Sequence, residues 1–166
     1  MQRLLRPLVF LSLLLSGAIF GFFYAWVCST MWGLDTLDPN TAIAAMNAMN
    51  ISVRNGVFMP AFFGTPVALI LTSVIALLSG QRKVAFWIGA GAFVYIVGAF
   101  IPTASINVPM NIALEAYSDP LPREQAQSIW DAYSPRWQFW NIARTFASGI
   151  TLLMVGLGLY ALPRRS

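Results

Sequence analysis

The side chains best suited to stabilising a developing anion stand in two short stretches of the second half of the chain. Asn107 and Asn111 flank Pro109, and Asn141 is followed three residues later by Arg144. Trp137, Trp140, Asn141, Arg144 and Ser148 follow one another at steps of three, one, three and four, which puts them on one stripe of a helix. A guanidinium, several carboxamides and indole N–H groups make a donor-rich pocket, suited to a planar ligand that carries a carbonyl or partial negative charge. Glu115, four residues past Asn111, is a candidate partner for Arg144 or a candidate proton acceptor. The same residue types have ordinary uses near a bilayer boundary: arginine snorkels, tryptophan forms belts, and asparagine satisfies a broken helix. Their coincidence is what argues for a site. Metal chemistry is disfavoured, because there is no histidine and Cys28 is the single thiol. Met46, Met49, Met59 and Met110 read as adaptable packing rather than copper ligands, and Cys28 as a packer rather than a nucleophile.

These residues need a scaffold, and composition dictates its kind. Of 166 residues, 58% are hydrophobic and 10% charged, too little polar surface to cover a soluble domain. Apolar runs over about 8–30, 57–78, 84–106 and 139–162 are each long enough to cross the hydrocarbon layer. The expectation is an all-α integral membrane four-helix bundle forming a single domain over 1–166. The first run is too long for a signal peptide and reads as an anchor. Net charge is +4, but the basic residues make no continuous face, so nucleic acid is not the expected partner. Arg3, Arg6, Arg82, Lys83, Arg164 and Arg165 fall on one side, while the other side carries six acids against three bases. The excess of Lys and Arg puts both termini in the cytoplasm, with the bacterial inner membrane as the expected location.

The two outer segments carry helix signals. Asp38-Pro39 is an N-cap followed by a first-turn proline. A second short helix is expected after Pro122, from Arg123 to Tyr133, ended by Pro135 and contributing Trp130 to a lid. Counting 1.5 Å per residue from the inner ends brings Asn107, Asn111, Asn141 and Arg144 to one level near the outer boundary, which Asn55 also reaches just before the second span. Gly17, Gly21, Gly89, Gly91 and Gly98 read as close helix packing.

The stretch Asn107-Val-Pro-Met-Asn111, then Trp130, then Trp137-x-x-Trp140-Asn141-x-x-Arg144-Thr145 resembles the anthrone oxygenase-like family (DUF1772) of small four-helix membrane proteins. Gly17, Gly21, the run Phe22 to Tyr24, Gly33-Leu34 and the segment from Asn50 to Phe58 resemble that family's first half. The resemblance implies oxidation of an anthrone-like aromatic to an anthraquinone by molecular oxygen, with no flavin or metal. The family's motif maps onto Asn107, Asn111, Trp137, Trp140, Asn141 and Arg144; with chemistry and depth added, the expected catalytic residues are Arg144, Asn111, Asn107 and Glu115, and the expected substrate contacts Asn141, Trp137, Trp140, Trp130 and Asn55. One departure stands out: Ile142 occupies a position where many members carry histidine, so a histidine base is absent. The competing function is a non-catalytic membrane protein that binds a lipid, a quinone, another hydrophobic metabolite or a partner protein, with self-association left open. A proton-coupled exporter is disfavoured, because every acid lies in an outer segment.

Overall fold

A computed structural model describes residues 2–117 and 119–163, with side chains from Leu4 onward. Of the basic residues in the charge count, the side chain of Arg3 and all of Arg164 and Arg165 lie outside that description. Five continuous helices follow in order: α1 over residues 2–35, α2 Pro39–Ser52, α3 Phe58–Leu78, α4 Arg82–Glu115 and α5 Arg123–Tyr160. The described residues contain no strand. Helices α1, α3, α4 and α5 are long and apolar enough to cross a bilayer, and the chain is an integral membrane protein. They look outward with large apolar side chains such as Leu14, Phe93 and Leu153, as lipid demands.

Inward faces follow a repeating step of four and three. On α1 the buried stripe is Leu5, Val9, Ser12, Ser16, Ile19 and Phe23. On α5 it is Trp137, Asn141, Arg144, Ser148, Thr151, Val155 and Gly158. This is the seam of left-handed, coiled-coil-like packing, here closed by small residues that let backbones approach. A Cβ added at Gly98 would lie 2.5 Å from the Cβ of Ala147, so α4 and α5 touch there almost backbone to backbone. Hydroxyls tie the spans across the same seam: Ser12 with Thr72, 3.0 Å apart, and Thr151 donating to the Gly91 carbonyl at 3.2 Å.

The inner turn between α3 and α4 closes on Gly80, whose φ of 76° suits glycine, with Gln81 N–H returning to the Ala76 carbonyl at 2.9 Å and Gly80 N–H to Leu77 at 3.0 Å. At the same level Arg6 donates to the Pro163 carbonyl, so the two ends of the described chain meet. At the outer end a second apolar core, built from Met31, Leu34, Ile43, Met46, Leu114, Trp130 and Tyr133, sits above the one between the spans. Helix α2 caps it. Asp38 accepts from Asn40 N–H at 3.1 Å, and Pro39 occupies the first turn as its sequence predicts.

One expectation about the outer side needs correction. The segment from Arg123 to Tyr133 is helical, but it is no separate lid helix: α5 runs through Pro135 without a break. Pro135 is exposed beyond the hydrocarbon, where water can satisfy the Asp131 carbonyl that loses its helical partner. Beyond the apolar run that ends near residue 106, α4 continues to Glu115 and carries Asn107 and Asn111. Within α4, wide π turns span Ile96–Phe100 and Thr103–Asn107. The first closes through Ile101 N–H and the second through Val108 N–H, each the residue just before a proline, Pro102 and Pro109. A proline ring crowds the carbonyl four residues back, and opening the preceding turn relieves the clash. The loosening that Asn107 and Asn111 suggested around Pro109 therefore lies on its N-terminal side.

Candidate functional site

Arg144 lies on the inward stripe of α5 and is 4% exposed. Its Nη1 donates to the Thr103 hydroxyl at 3.1 Å and its Nη2 to Asn141 Oδ1 at 3.0 Å. The guanidinium carbon lies 4.6 Å from the ring centre of Phe23 and 5.3 Å from that of Trp137, so two aromatic faces enclose it. All its partners are neutral. Among the described residues the ion pair is that of Arg54 with Glu115 at the outer surface, and no carboxylate of theirs balances Arg144.

The partners are themselves fixed. Thr103, which opens the second wide turn of α4, donates its hydroxyl proton to the Ala99 carbonyl at 2.8 Å and so offers Arg144 a lone pair. Asn141 donates to the Phe23 carbonyl at 3.1 Å, joining α5 to α1. Asn107 reaches the Trp137 carbonyl at 3.5 Å. Above this layer Asn111 is a second hub. Its Oδ1 accepts from Tyr133 Oη at 2.8 Å and Trp137 Nε1 at 2.9 Å, and its Nδ2 donates to Asn50 Oδ1 of α2 at 2.9 Å. Trp137 joins the two hubs, since its indole N–H serves Asn111 while its ring covers Arg144.

Three buried polar atoms in this neighbourhood have no hydrogen-bond partner: Arg144 Nε, Asn107 Oδ1 and Asn50 Nδ2. Each unpartnered buried group costs about 1–3 kcal/mol. One guanidinium N–H, one carboxamide oxygen and one amide N–H are thus left unpaired, groups able to bond a hydroxyl and a carbonyl.

Of the residues singled out from sequence, Asn107, Asn111, Trp137, Asn141 and Arg144 come together and four do not. Trp140 falls outside the four-three step of the buried stripe. It is half-buried and packs edge to face on Phe139, 5.5 Å between ring centres. Trp130 belongs to the outer core and donates to Asp35 Oδ1 at 3.0 Å. Asn55 is exposed and caps α3, accepting from Val57 N–H at 2.8 Å and Phe58 N–H at 3.0 Å. Glu115, expected to pair with Arg144, pairs instead with Arg54. The reason is position: Glu115 ends α4 beyond the apolar layer, beside the loop that carries Arg54.

Five contributors went unassigned from sequence. Tyr133 had a legible signal, four residues before Trp137 on the same stripe. Asn50 had a weaker one, since Asn40, Asn47 and Asn50 share a face of α2; the amides of Asn40 and Asn47 reach the Leu121 and Leu114 carbonyls at 3.0 and 3.3 Å. Phe23, Thr103 and Trp26 carry no local signal of a polar site.

Compared with known families, residues 57–154 match the sequence model described as anthrone oxygenase. The chain belongs to this family. The matched segment covers α3, α4 and most of α5, and so includes Thr103, Asn107, Asn111, Trp137, Asn141 and Arg144. The α1 and α2 residues that complete the anthrone oxygenase family scaffold here, Phe23 and Asn50, precede it. No match is found among curated proteins or among solved structures.

Proposed function

We propose that this anthrone oxygenase family member oxidises a hydrophobic, anthrone-like aromatic with molecular oxygen at the Arg144 cluster. The observation that carries the reading is a buried guanidinium with no counter-anion, held between the rings of Phe23 and Trp137. Such a charge stabilises an anion that forms beside it. An anthrone enolises and ionises to an electron-rich anion, the form that Arg144 favours, while Asn107 and Asn111 orient the ring system. The anion gives electrons to oxygen and a C–O bond forms at the ring methylene carbon. The released proton returns to the distal peroxide oxygen, and the O–O bond breaks. One oxygen stays as the new carbonyl, and the other leaves as water with both methylene hydrogens. Carbon is oxidised and oxygen reduced, with no flavin or metal required by this balance.

The test is oxygen uptake by the full-length protein in nanodiscs with emodin anthrone. Arg144→Ala should lower kcat by about 100-fold, the scale of losing one preorganised charge stabiliser. Arg144→Lys should recover only part of the loss, because an ammonium cannot span Thr103 and Asn141 together. Equal rates in all three preparations would remove the site.

A second reading, a protein that binds a quinone, a lipid or a related hydrophobic metabolite without turnover, is favoured by one observation: the candidate proton acceptor Glu115 is held by Arg54. Retention of added anthrone unchanged under oxygen would select it. We further propose that the ends joined by Arg6 and Pro163 face the cytoplasm of a bacterial inner membrane, the side that carries Arg82 and Lys83.

A further inference from the structure

The Arg144 cluster is closed, yet an open cleft of about 390 Å³ lies beside it, within the roughly 300–1,000 Å³ usual for small-molecule sites. The cleft lies between α1 and α3 beneath the end of α2. Phe22, Trp26 and Phe58 line it with rings, Met49 roofs it, and Asn55 is among the few polar groups at its rim. Ala18 also lines it, eight residues below Trp26, so it extends about 12 Å along the apolar part of α1. At the inner wall the ring of Trp26 lies 5.1 Å from that of Trp137, which covers Arg144. One tryptophan pair separates the open space from the cluster.

The backbone at that partition is unusual. Trp26 begins the π turn Trp26–Thr30, closed by Met31 N–H on the Trp26 carbonyl. In α4 a following proline accounts for each wide turn, but here the next residue is Trp32 and no proline is near. Wide turns of this kind weaken local hydrogen bonding and gather at functional sites. The turn gives Trp26 a backbone able to shift without unwinding the rest of α1.

We propose that the cleft is the portal through which a planar, fused-ring aromatic with an ionisable hydroxyl passes from the outer half of the bilayer to Arg144, and that Trp26 is its gate. The occupant follows from what lies behind that partition: across one tryptophan pair the aromatic-lined cleft faces an unbalanced cation and unpaired amide atoms, which a lipid tail would leave unsatisfied. The inference rests on Arg144 as the terminus but not on turnover. Ala18 and Val57 line the cleft at exposed positions, so added bulk there plugs it without disturbing the core.

The experiment is stopped-flow quenching of tryptophan emission by 1,8-dihydroxyanthraquinone, which cannot be oxidised as an anthrone, using the full chain in nanodiscs. Compared are Ala18→Phe, Val57→Phe, Arg144→Ala and a control at an exposed position near the inner end of α3 that does not line the cleft, Leu77→Phe. A blocked portal slows arrival and departure alike. Each plug should therefore lower kon and koff together by about tenfold and leave Kd within about twofold, while the control matches wild type and Arg144→Ala raises koff. Plugs with wild-type kon, a loss carried by koff alone, or no binding to the wild-type protein would each overturn the portal. Failure of the oxidation reading is separate: the plugs would still slow binding while anthrone remained unoxidised.

Discussion

Asn111 ties three elements of the outer cap together, because one amide on α4 serves both α2 and α5. Replacing it with alanine removes the acceptor of Tyr133 and Trp137 and the donor to Asn50. Each group left unpaired costs about 1–3 kcal/mol, so Asn111→Ala should lower stability by several kcal/mol in a denaturant titration in detergent. Asn111→Asp would keep the acceptor and lose the donor, and should cost less if Trp137 and Tyr133 carry most of the effect. At this scale the sequence was half informative. Arg144, Asn141 and Asn107 were legible because a polar residue inside an apolar run has few reasons to be there. The partners were not, because which neutral group reaches a guanidinium depends on packing. Glu115, weighed as a partner for Arg144, is held instead by Arg54 from another loop.

The helices were legible as spans and less so as helices. Hydropathy reports where lipid ends, whereas a helix ends where its hydrogen bonds do, and so α4 and α5 run on beyond the apolar layer to Glu115 and back to Arg123. The same gap explains Pro135, which breaks a pattern without breaking an exposed helix, and Trp140, whose chemistry suited the site but whose register did not. The wide turns of α4 could be suspected from Pro102 and Pro109; the one at Trp26 had no sequence sign. A test of packing at this scale is Gly98→Val. Bulk there must push Ala147 and with it the backbone of α5, since a single Cβ already comes within 2.5 Å. A loss of about 1–3 kcal/mol is expected, with oxygen uptake reduced because Ala147 is one turn from Arg144. By contrast, Gly21 is not the close-packing glycine its spacing suggested: an added Cβ meets nothing there, so the same change should leave the melting temperature unchanged.

For the whole molecule, orientation has a direct check. In a Cys28→Ser background, a cysteine replacing exposed Asp131 should react with a membrane-impermeant maleimide in intact cells, and one replacing Arg82 only after lysis. The reverse pattern would overturn the proposed orientation. The way the cap is fastened bears on the surroundings in which the protein can work. Asn40, Asn47 and Asn50 stitch α2 to its neighbours through uncharged amides, and Arg54 with Glu115 is the ion pair beside them. Dissolved salt weakens attraction between exposed charges but hardly touches hydrogen bonds between neutral amides. The roof should consequently stay shut across fresh and briny media alike, leaving traffic through the bilayer as the route that changing salinity cannot open or close.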